Sequence, residues 1–320
     1  MIQTWRDRTK TASVATREAV AAFVVTYRRP ALLRATLSGI TAQTRPPDSV
    51  VVMNNDPDDD IREGLGEKFP TAAVVDLAEN VGSAGGFARA LYIAGRQGAA
   101  WSWLLDDDAA PYPDALEQLL SVATALRAEG RPVGLLSPAQ VASSGRFGWA
   151  RWRHRPVPVE PALRDGDEPF AIDLAYWAGL LVHRSVINQV GYPRTEFFRC
   201  YADYEYCLRA RRAGMEIVAV PGSRVAHQEG LSRAVVRLGR PSSRRRYPPD
   251  RHYYDARNAA FTAWHTLHSP LAVAFHLAHQ CRLALGDLVY ESESFRRLAL
   301  RARGTLDGLW GRMGRKDGIG

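Results

Sequence analysis

Apolar positions in this chain come in two kinds of run. Val20 to Thr26, VAAFVVT, is continuously apolar, as a strand covered on both faces would be. Tyr27-Arg28-Arg29-Pro30 breaks it, with Pro30 suited to the first turn of a helix. Leu33, Leu37 and Ile40 then recur at helical spacing through Thr44, until Pro46-Pro47 ends the element. Val50 to Met53 is a second buried strand with the exit loop Asn54-Asn55-Asp56-Pro57, and Ala72 to Asp76 a third, weaker strand. Strand, helix, strand at this spacing predicts a right-handed parallel crossover. Phe87, Leu91 and Ala94 form the stripe of a helix capped near Ser83 and stopped by Gly98. Its entry, Asn80 to Gly86, is glycine-rich, which suits either a phosphate cradle or close helix-to-sheet packing.

Downstream, Trp103-Leu104-Leu105 reads as the end of a buried strand and Gly134 to Ser137 as another, with Pro113 to Arg127 a helix between them. From Ser143 to Phe170 the period is lost, which suggests an ordered loop or a short hairpin. Asp173 to His183 suits a strand in which Gly179 marks a close backbone approach. Asp203 and Glu205 stand at the start of a helix that Gly214 closes. Ile217 to Val220 and Arg224 to His227 read as two short strands around a Pro221-Gly222 turn. Helices follow at Ala259 to Leu267, Leu271 to Leu285 and Phe295 to Arg312. The pattern is α/β with a mostly parallel central sheet, then a C-terminal helical part. The expected divisions are a loose basic arm (1–18), an α/β unit (19–245) and a helical region (246–320).

The candidate chemistry sits where the fourth strand ends. Asp106, Asp107 and Asp108 follow Leu105 without a spacer. In extended backbone alternate side chains share a face, so Asp106 and Asp108 can close on one hard cation while Asp107 points away. Without a cation, carboxylates about 4 Å apart repel by roughly 4 kcal/mol at an effective dielectric of 20. Magnesium or manganese holding a diphosphate is the natural filling, and a solvated acidic turn the bland alternative.

Charge and composition narrow the partners. The formal charge is +8, with basic residues crowded before residue 18, between Arg233 and Arg251, and from Arg296 to Lys316. That excess favours an anionic partner, a nucleotide diphosphate or a phospholipid surface. No nucleic-acid-reading motif accompanies it, so nucleic acid is not expected. Cys200, Cys207 and Cys281 lack metal spacing and suit small apolar packing in a reducing compartment. With no apolar run of about 18 residues and a charged start, the expected location is cytoplasmic, with peripheral contact at the inner membrane face left open.

With FVVTYRRP, AQTRPPDSVVVMNND, ENVGSAGGFARAL, WSWLLDDD, DYEYCLRARRAG and RVAH in this order, the chain resembles inverting glycosyltransferases of family 2 with a GT-A fold. Within that family it is most similar to actinobacterial galactofuranosyltransferases. The resemblance implies a nucleotide pocket lined by Thr26 and reached by Arg28 and Arg29. Asn54 replaces the acid usual after the second strand, with Asp56 two residues on, which leaves the base open. It further implies that Asn80, Gly82 and Arg89 flank the diphosphate, with Asp107 on the donor side. Asp106, Asp108 and His227 would hold Mn2+ or Mg2+. The family's base opens a helix in an E-D-x-D-like motif; here it reads Ala202-Asp203-Tyr204-Glu205, aligning Asp203 with the base and Glu205 with the second acid, with a one-position ambiguity. Trp177, Tyr201 and Tyr204 would offer flat faces to acceptor sugars.

The implied activity is inverting transfer of a sugar, galactofuranose from UDP-galactofuranose, onto a hydroxyl of a glycan or lipid-linked acceptor. Two alternatives stay open: rhamnosyl or another family 2 transfer onto a small natural product, and a sugar-nucleotide-binding protein without catalysis. A nucleotidyltransferase is disfavoured, because Tyr27-Arg28-Arg29-Pro30 stands where its glycine-rich loop would be.

Overall fold

The computed structural model describes residues 17–66, 68–142, 145–159, 168–227, 232–237, 240–245, 247–291 and 293–316. The expected basic arm lies almost wholly outside these residues, as does Arg246 of the Arg244 to Arg246 cluster.

The first half alternates as the apolar runs require. Strand β1 (Val20–Thr26) leads to α1 (Pro30–Thr41), β2 (Ser49–Asn54), the short α2 (Arg62–Gly66), β3 (Ala72–Asp76), α3 (Gly82–Arg96), β4 (Trp101–Asp106), β5 (Ala109–Pro111) and α4 (Ala115–Ala128). Next come β6 (Val133–Ala142), β7 (Gly145–Phe147), β8 (Trp149–Trp152), β9 (Pro156–Pro158), β10 (Phe170–Ile172), β11 (Leu174–Ala175), β12 (Leu180–His183) and α5 (Arg184–Val190). The chain continues through α6 (Ala202–Arg212), β13 (Glu216–His227), β14 (Ser232–Arg237), β15 (Arg240–Arg245), α7 (Pro249–Phe261), α8 (Pro270–Tyr290) and α9 (Ser294–Leu309).

The main sheet runs β10-β13-β6-β12-β4-β1-β2-β3, with β5 added to β13 and β7 to β6. Pairs β1/β2, β1/β4, β2/β3 and β6/β13 are parallel, whereas β12 runs antiparallel between β4 and β6. Both faces are covered, which is why β1 is buried at every position. Val20, Ala22 and Val24 pack on one side with Leu33, Leu37, Leu116 and Leu119; Ala21, Phe23 and Val25 pack on the other with Phe87 and Leu91. Burying the larger of these side chains at about 1.5–3 kcal/mol each holds the two helix layers to the sheet.

Four sequence expectations change. Asp173 to His183 is not one strand: β11 joins a separate sheet with β8 and β9, and a reversal at Gly179 (φ +85°) feeds β12. The close approach there is real, since a Cβ on Gly179 would lie 2.7 Å from Pro138 Cγ. The two strands flanking Pro221-Gly222 are a single strand, β13, whose register against β6 shifts between Val220 and Arg224; the residues form a bulge rather than a turn. The unpatterned stretch holds β7, β8 and β9, three strands too short to show a period. The first C-terminal helix starts ten residues earlier than its apolar stripe, at Pro249, because its buried face carries His252, Tyr253, Arg257 and Asn258.

Candidate functional site

Sheet pairing assembles the acidic cluster. Strand β4 ends at Asp106, and β5, starting at Ala109, pairs antiparallel with the end of β13 so that Ala109 stands opposite His227. Ligand atoms of Asp106, Asp108 and His227, the last 119 residues downstream, thereby come within 4.8 Å of one another. His227 Nε2 lies 3.4 Å from Asp108 Oδ1, and Arg29 Nη1 donates to Asp108 Oδ2 at 2.8 Å. Asp107, in the turn that follows β4, leans toward β1 and α1, with its Oδ1 3.3 Å from the same Arg29 Nη1. Its Oδ2 accepts from Thr26 Oγ1 at 2.9 Å, and its carbonyl accepts from Thr36 at 2.8 Å.

Burial, with Asp108 beside it, pushes the Asp106 carboxyl well above the usual carboxylate range. Burial opposes ionisation of Asp108 too, but His227 and Arg29 outweigh it and hold that carboxyl below its ordinary value. Two carboxylate oxygens and one imidazole nitrogen around a common point form a donor set that suits Mn2+ or Mg2+, with imidazole favouring manganese. A desolvated carboxyl that resists ionisation, as Asp106 does, is also what a divalent ion would stabilise.

Across a cleft of about 480 Å³ from this cluster lies the start of α6. Asp203 lines the cleft, and its Oδ1 accepts from Tyr204 N at 2.8 Å. Burial pushes its pKa up to about 7, against the lowering effect of backbone N–H groups and Arg251. A carboxylate poised there can take a proton near neutrality. The same cleft is lined by Arg29, Ser83, Gln140, Tyr176, Trp177, Tyr201, Tyr204, Arg251 and Asp255. Tyr204 stacks on Tyr176 with ring centroids 5.3 Å apart, and Tyr201 meets Tyr204 edge-on at 5.3 Å.

Asp203 is held in place from the C-terminal helices. Phe198, Cys200 and Tyr201, just upstream, all have positive φ (63°, 60° and 64°). Such backbone costs about 1–3 kcal/mol per residue and needs outside restraint. Asn258 of α7 supplies it: its Nδ2 donates to the carbonyls of Phe197 (3.1 Å), Arg199 (2.7 Å) and Cys200 (2.9 Å). Arg257 adds bonds to the carbonyls of Glu196 and Phe197. From the other side, Gly82 (φ +69°) backs onto Phe198, where a Cβ would sit 1.9 Å from the carbonyl oxygen.

Not every expected residue reaches the cleft. Glu205 is fully buried behind it, its carboxylate accepting from Arg194 (3.0 Å), Arg209 (2.9 Å) and Thr266 (3.1 Å). Arg28 (φ 55°) pairs with Asp56, and Asn54 is buried, donating to Asp59 O (2.8 Å) and Asp76 (3.0 Å). These residues gather at the open ends of β1 and β2, adjoining rather than lining the cleft. Thr26 is buried against Asp107. Asn80 Oδ1 accepts from Gly82 N at 2.9 Å, replacing the expected Ser83 cap, and Ala84 N bonds to Phe198 O. With Gly86 also tight on Val25, the glycine-rich segment serves close packing in this conformation, while Ser83 faces the cleft. Arg89 is exposed, its guanidinium over the Tyr92 ring. Of the cysteines, Cys207 is buried as expected, Cys200 lines the cleft and Cys281 is exposed. Sequence reasoning missed Asp255, Arg251, Asn258 and Tyr176; a polar face spaced 251, 255, 258 on an otherwise amphipathic helix was the available signal.

Residues 17–239 match the family model described as glycosyltransferase like family 2. The chain is 33% identical over 207 residues to galactofuranosyltransferase GlfT1 of Mycolicibacterium smegmatis, an alignment covering 62% of this chain and 67% of that protein. It is 34% identical over 204 residues to the GlfT1 of Mycobacterium tuberculosis, covering 62% and 66%. The chain therefore spans about two thirds of the length of these relatives. It is also 28% identical over 155 residues to dTDP-rhamnosyl transferase RfbF of Shigella flexneri, covering 47% and 49%. Among solved structures, mannosyltransferase PcManGT from Pyrobaculum calidifontis, in complex with GDP-Man and Mn2+, superposes with a TM-score of 0.54 at 17% identity, covering 93% of this chain and 89% of that one. Residues 1–349 of S. aureus TarS give 0.57 at 15% identity, covering 92% and 82%. The architecture is that of GT-A glycosyltransferases, with helices appended at the C-terminus.

Proposed function

We propose, from the premise that this chain belongs to glycosyltransferase family 2, that it transfers a sugar from a nucleotide donor to an acceptor hydroxyl with inversion at the anomeric carbon. The observation that carries this reading is the facing pair of acidic groups in one cleft: Asp106, Asp108 and His227 on one wall and Asp203 on the other.

Asp106, Asp108 and His227 would hold Mn2+ or Mg2+; bound there, the ion supplies Lewis-acid neutralisation of charge on a nucleoside diphosphate leaving group. Arg29, already on Asp108, adds a fixed positive charge beside the diphosphate. Arg28, Asn54 and Asp56 are assigned to the nucleoside end, with Thr26 fixing Asp107. Asp203 accepts the proton of the acceptor hydroxyl as its oxygen attacks the anomeric carbon on the face opposite the leaving group, and that direction of approach gives inversion. Tyr201, Tyr204 and the edge of Trp177 present ring faces that suit sugar rings. Glu205 acts through structure: it neutralises Arg209 one turn along α6 and Arg194 beside the helix, which keeps the first turn in place.

The named relatives favour galactofuranose as the donor sugar, with rhamnose from a dTDP-linked donor as the second reading, and the acceptor proposed with it is a hydroxyl of a glycan or lipid-linked molecule. The discriminating experiment offers UDP-galactofuranose and dTDP-rhamnose separately, with Mn2+, to the full chain and a panel of glycoside and lipid-linked acceptors. Transfer from the first donor, absent with Asp203→Asn, is the expected outcome. Transfer from neither donor, with no donor binding, would overturn the assignment.

A further inference from the structure

The polarity of the C-terminal helices is inverted. The buried positions of α8 are Ala272, His276, Gln280 and Asp287, and the last three spend their polar atoms inside: His276 on Thr305 (3.1 Å), and Gln280 (3.2 Å) and Asp287 (2.9 Å) on Arg301. These partners show α9 packed antiparallel on α8. Gly304 and Gly308 press α9 onto α7, where a Cβ would meet the carbonyls of Tyr253 and Arg257 at 2.4 and 2.1 Å.

The outward positions are apolar. Leu271, Ala274, Ala278, Cys281, Leu285 and Leu288 are all exposed and alternate three and four residues apart, one continuous stripe along α8. On α9 the exposed positions include Phe295, Leu298, Ala299, Ala302 and Leu306, with Trp310 just beyond. Several are more than half exposed: Leu285 64%, Val289 71%, Phe295 78% and Trp310 62%. A surface helix facing water arranges its residues the other way round.

We propose that the α8–α9 hairpin is a docking surface for an anionic phospholipid bilayer, lying in the plane of the headgroups. Charge selects this occupant. The exposed charged side chains on and just beyond the two helices are Arg282, Arg296, Arg303, Arg312 and Arg315; among the described residues from 270 onward the exposed acid is Glu293, in the turn. Arginines edging an apolar stripe suit acidic headgroups around acyl chains, with Trp310 at the boundary. A second copy packed by the same face would bring five exposed arginines but, among the described residues, only Glu293 to meet them. The hairpin lies on the bilayer and does not cross it, because no helix among the described residues is long and apolar enough to span.

The docking surface is joined to the cleft. Phe275, His276 and His279 of α8 line a cavity of about 150 Å³ whose other wall includes Tyr201 and Asp255, both of which also line the 480 Å³ cleft. A bilayer seated on α8 would therefore lie against the acceptor side of the site.

The test is co-sedimentation of the full chain with vesicles of phosphatidylcholine alone and of phosphatidylcholine mixed with phosphatidylglycerol, with no sugar nucleotide present, so that it does not depend on the enzymatic reading. The chain is expected to partition onto the anionic vesicles, less so as salt rises. The triple variant Leu285→Gln, Leu288→Gln, Phe295→Gln is expected to lose roughly tenfold or more of that partitioning with an unchanged melting temperature. Arg296→Gln with Arg303→Gln, which spares the apolar stripe, is expected to lose roughly 25-fold, about fivefold per arginine. Wild-type chain that stays in the supernatant would overturn the proposal. So would variants that partition as well as wild type, or a wild-type dimer that the triple variant disperses.

Discussion

Replacing Asp203 with asparagine is expected to abolish transfer and to stabilise the protein, and the size of the second effect follows from the site. Burial lifts this carboxyl from an ordinary value of 3.8 to about 7. A shift of about 3 units corresponds to about 4 kcal/mol at roughly 1.4 kcal/mol per unit. The residue is only partly shielded from an open cleft, and solvent screening cuts this to roughly 2 kcal/mol. The sign is that of an acid whose folded pKa is raised. Between pH 4 and 7 the unfolded chain gives up the proton while the folded chain keeps it, so wild-type stability falls over that window and then levels off. Asparagine carries no such cost and still accepts from Tyr204 N. Its advantage in EDTA should be near zero at pH 4, grow through pH 7, and reach a few degrees of melting temperature at pH 8. Transfer should fall 100- to 10,000-fold, and wild-type kcat/KM should drop roughly tenfold per pH unit below 7. Thermal melts of both proteins across this range provide the assay. A melting difference that is absent, or the same at every pH, would show that Asp203 is not a desolvated base.

Glu205→Gln separates the two acids of α6: losing the buried partner of Arg194 and Arg209 should cost roughly 2–3 kcal/mol in denaturant unfolding, less than a fully enclosed pair because both arginines reach solvent. The folded fraction should keep the pH midpoint near 7; a large kcat loss at unchanged stability would make Glu205 the base instead. Gly82→Ala should destabilise the chain by roughly 3 kcal/mol or more and disturb donor binding, since the new Cβ collides with backbone that holds Tyr201 and Asp203; a chain that melts and binds like wild type would refute that packing. Asn258→Ala should lower kcat more than donor affinity, by freeing carbonyls that lock the positive-φ turn; equal loss of both would point to general unfolding.

Strand positions were legible because a strand buried on both faces demands a continuous apolar run, and β1 begins and ends where its run does; β3, at the sheet edge with no fully buried position, gave the weaker signal. Asp106 and Asp108 come together as alternation suggested, but β4 ends at Asp106 and it is the turn into β5 that places Asp108, while Thr26 and Thr36 hold Asp107 and Arg29 touches both Asp107 and Asp108. Four things were hidden for physical reasons. The antiparallel insertion of β12 between β4 and β6 is a long-range pairing with no local signature. Glu205 looked like a site residue because an acid at a helix start reads alike whether it faces a cleft or an arginine pair. The C-terminal helices kept an apolar period but turned it outward, so the stripe that predicted their existence pointed away from what they bury. The polar contacts through which α7 holds the Asp203 turn carry no apolar period at all.

The most direct measurement is electron paramagnetic resonance of free Mn2+ titrated into the chain with uridine diphosphate, for wild type, Asp108→Asn and Asp203→Asn. The account predicts one bound manganese in wild type and in Asp203→Asn, and weakening by at least roughly tenfold in Asp108→Asn. Equal manganese binding by wild type and Asp108→Asn would contradict it.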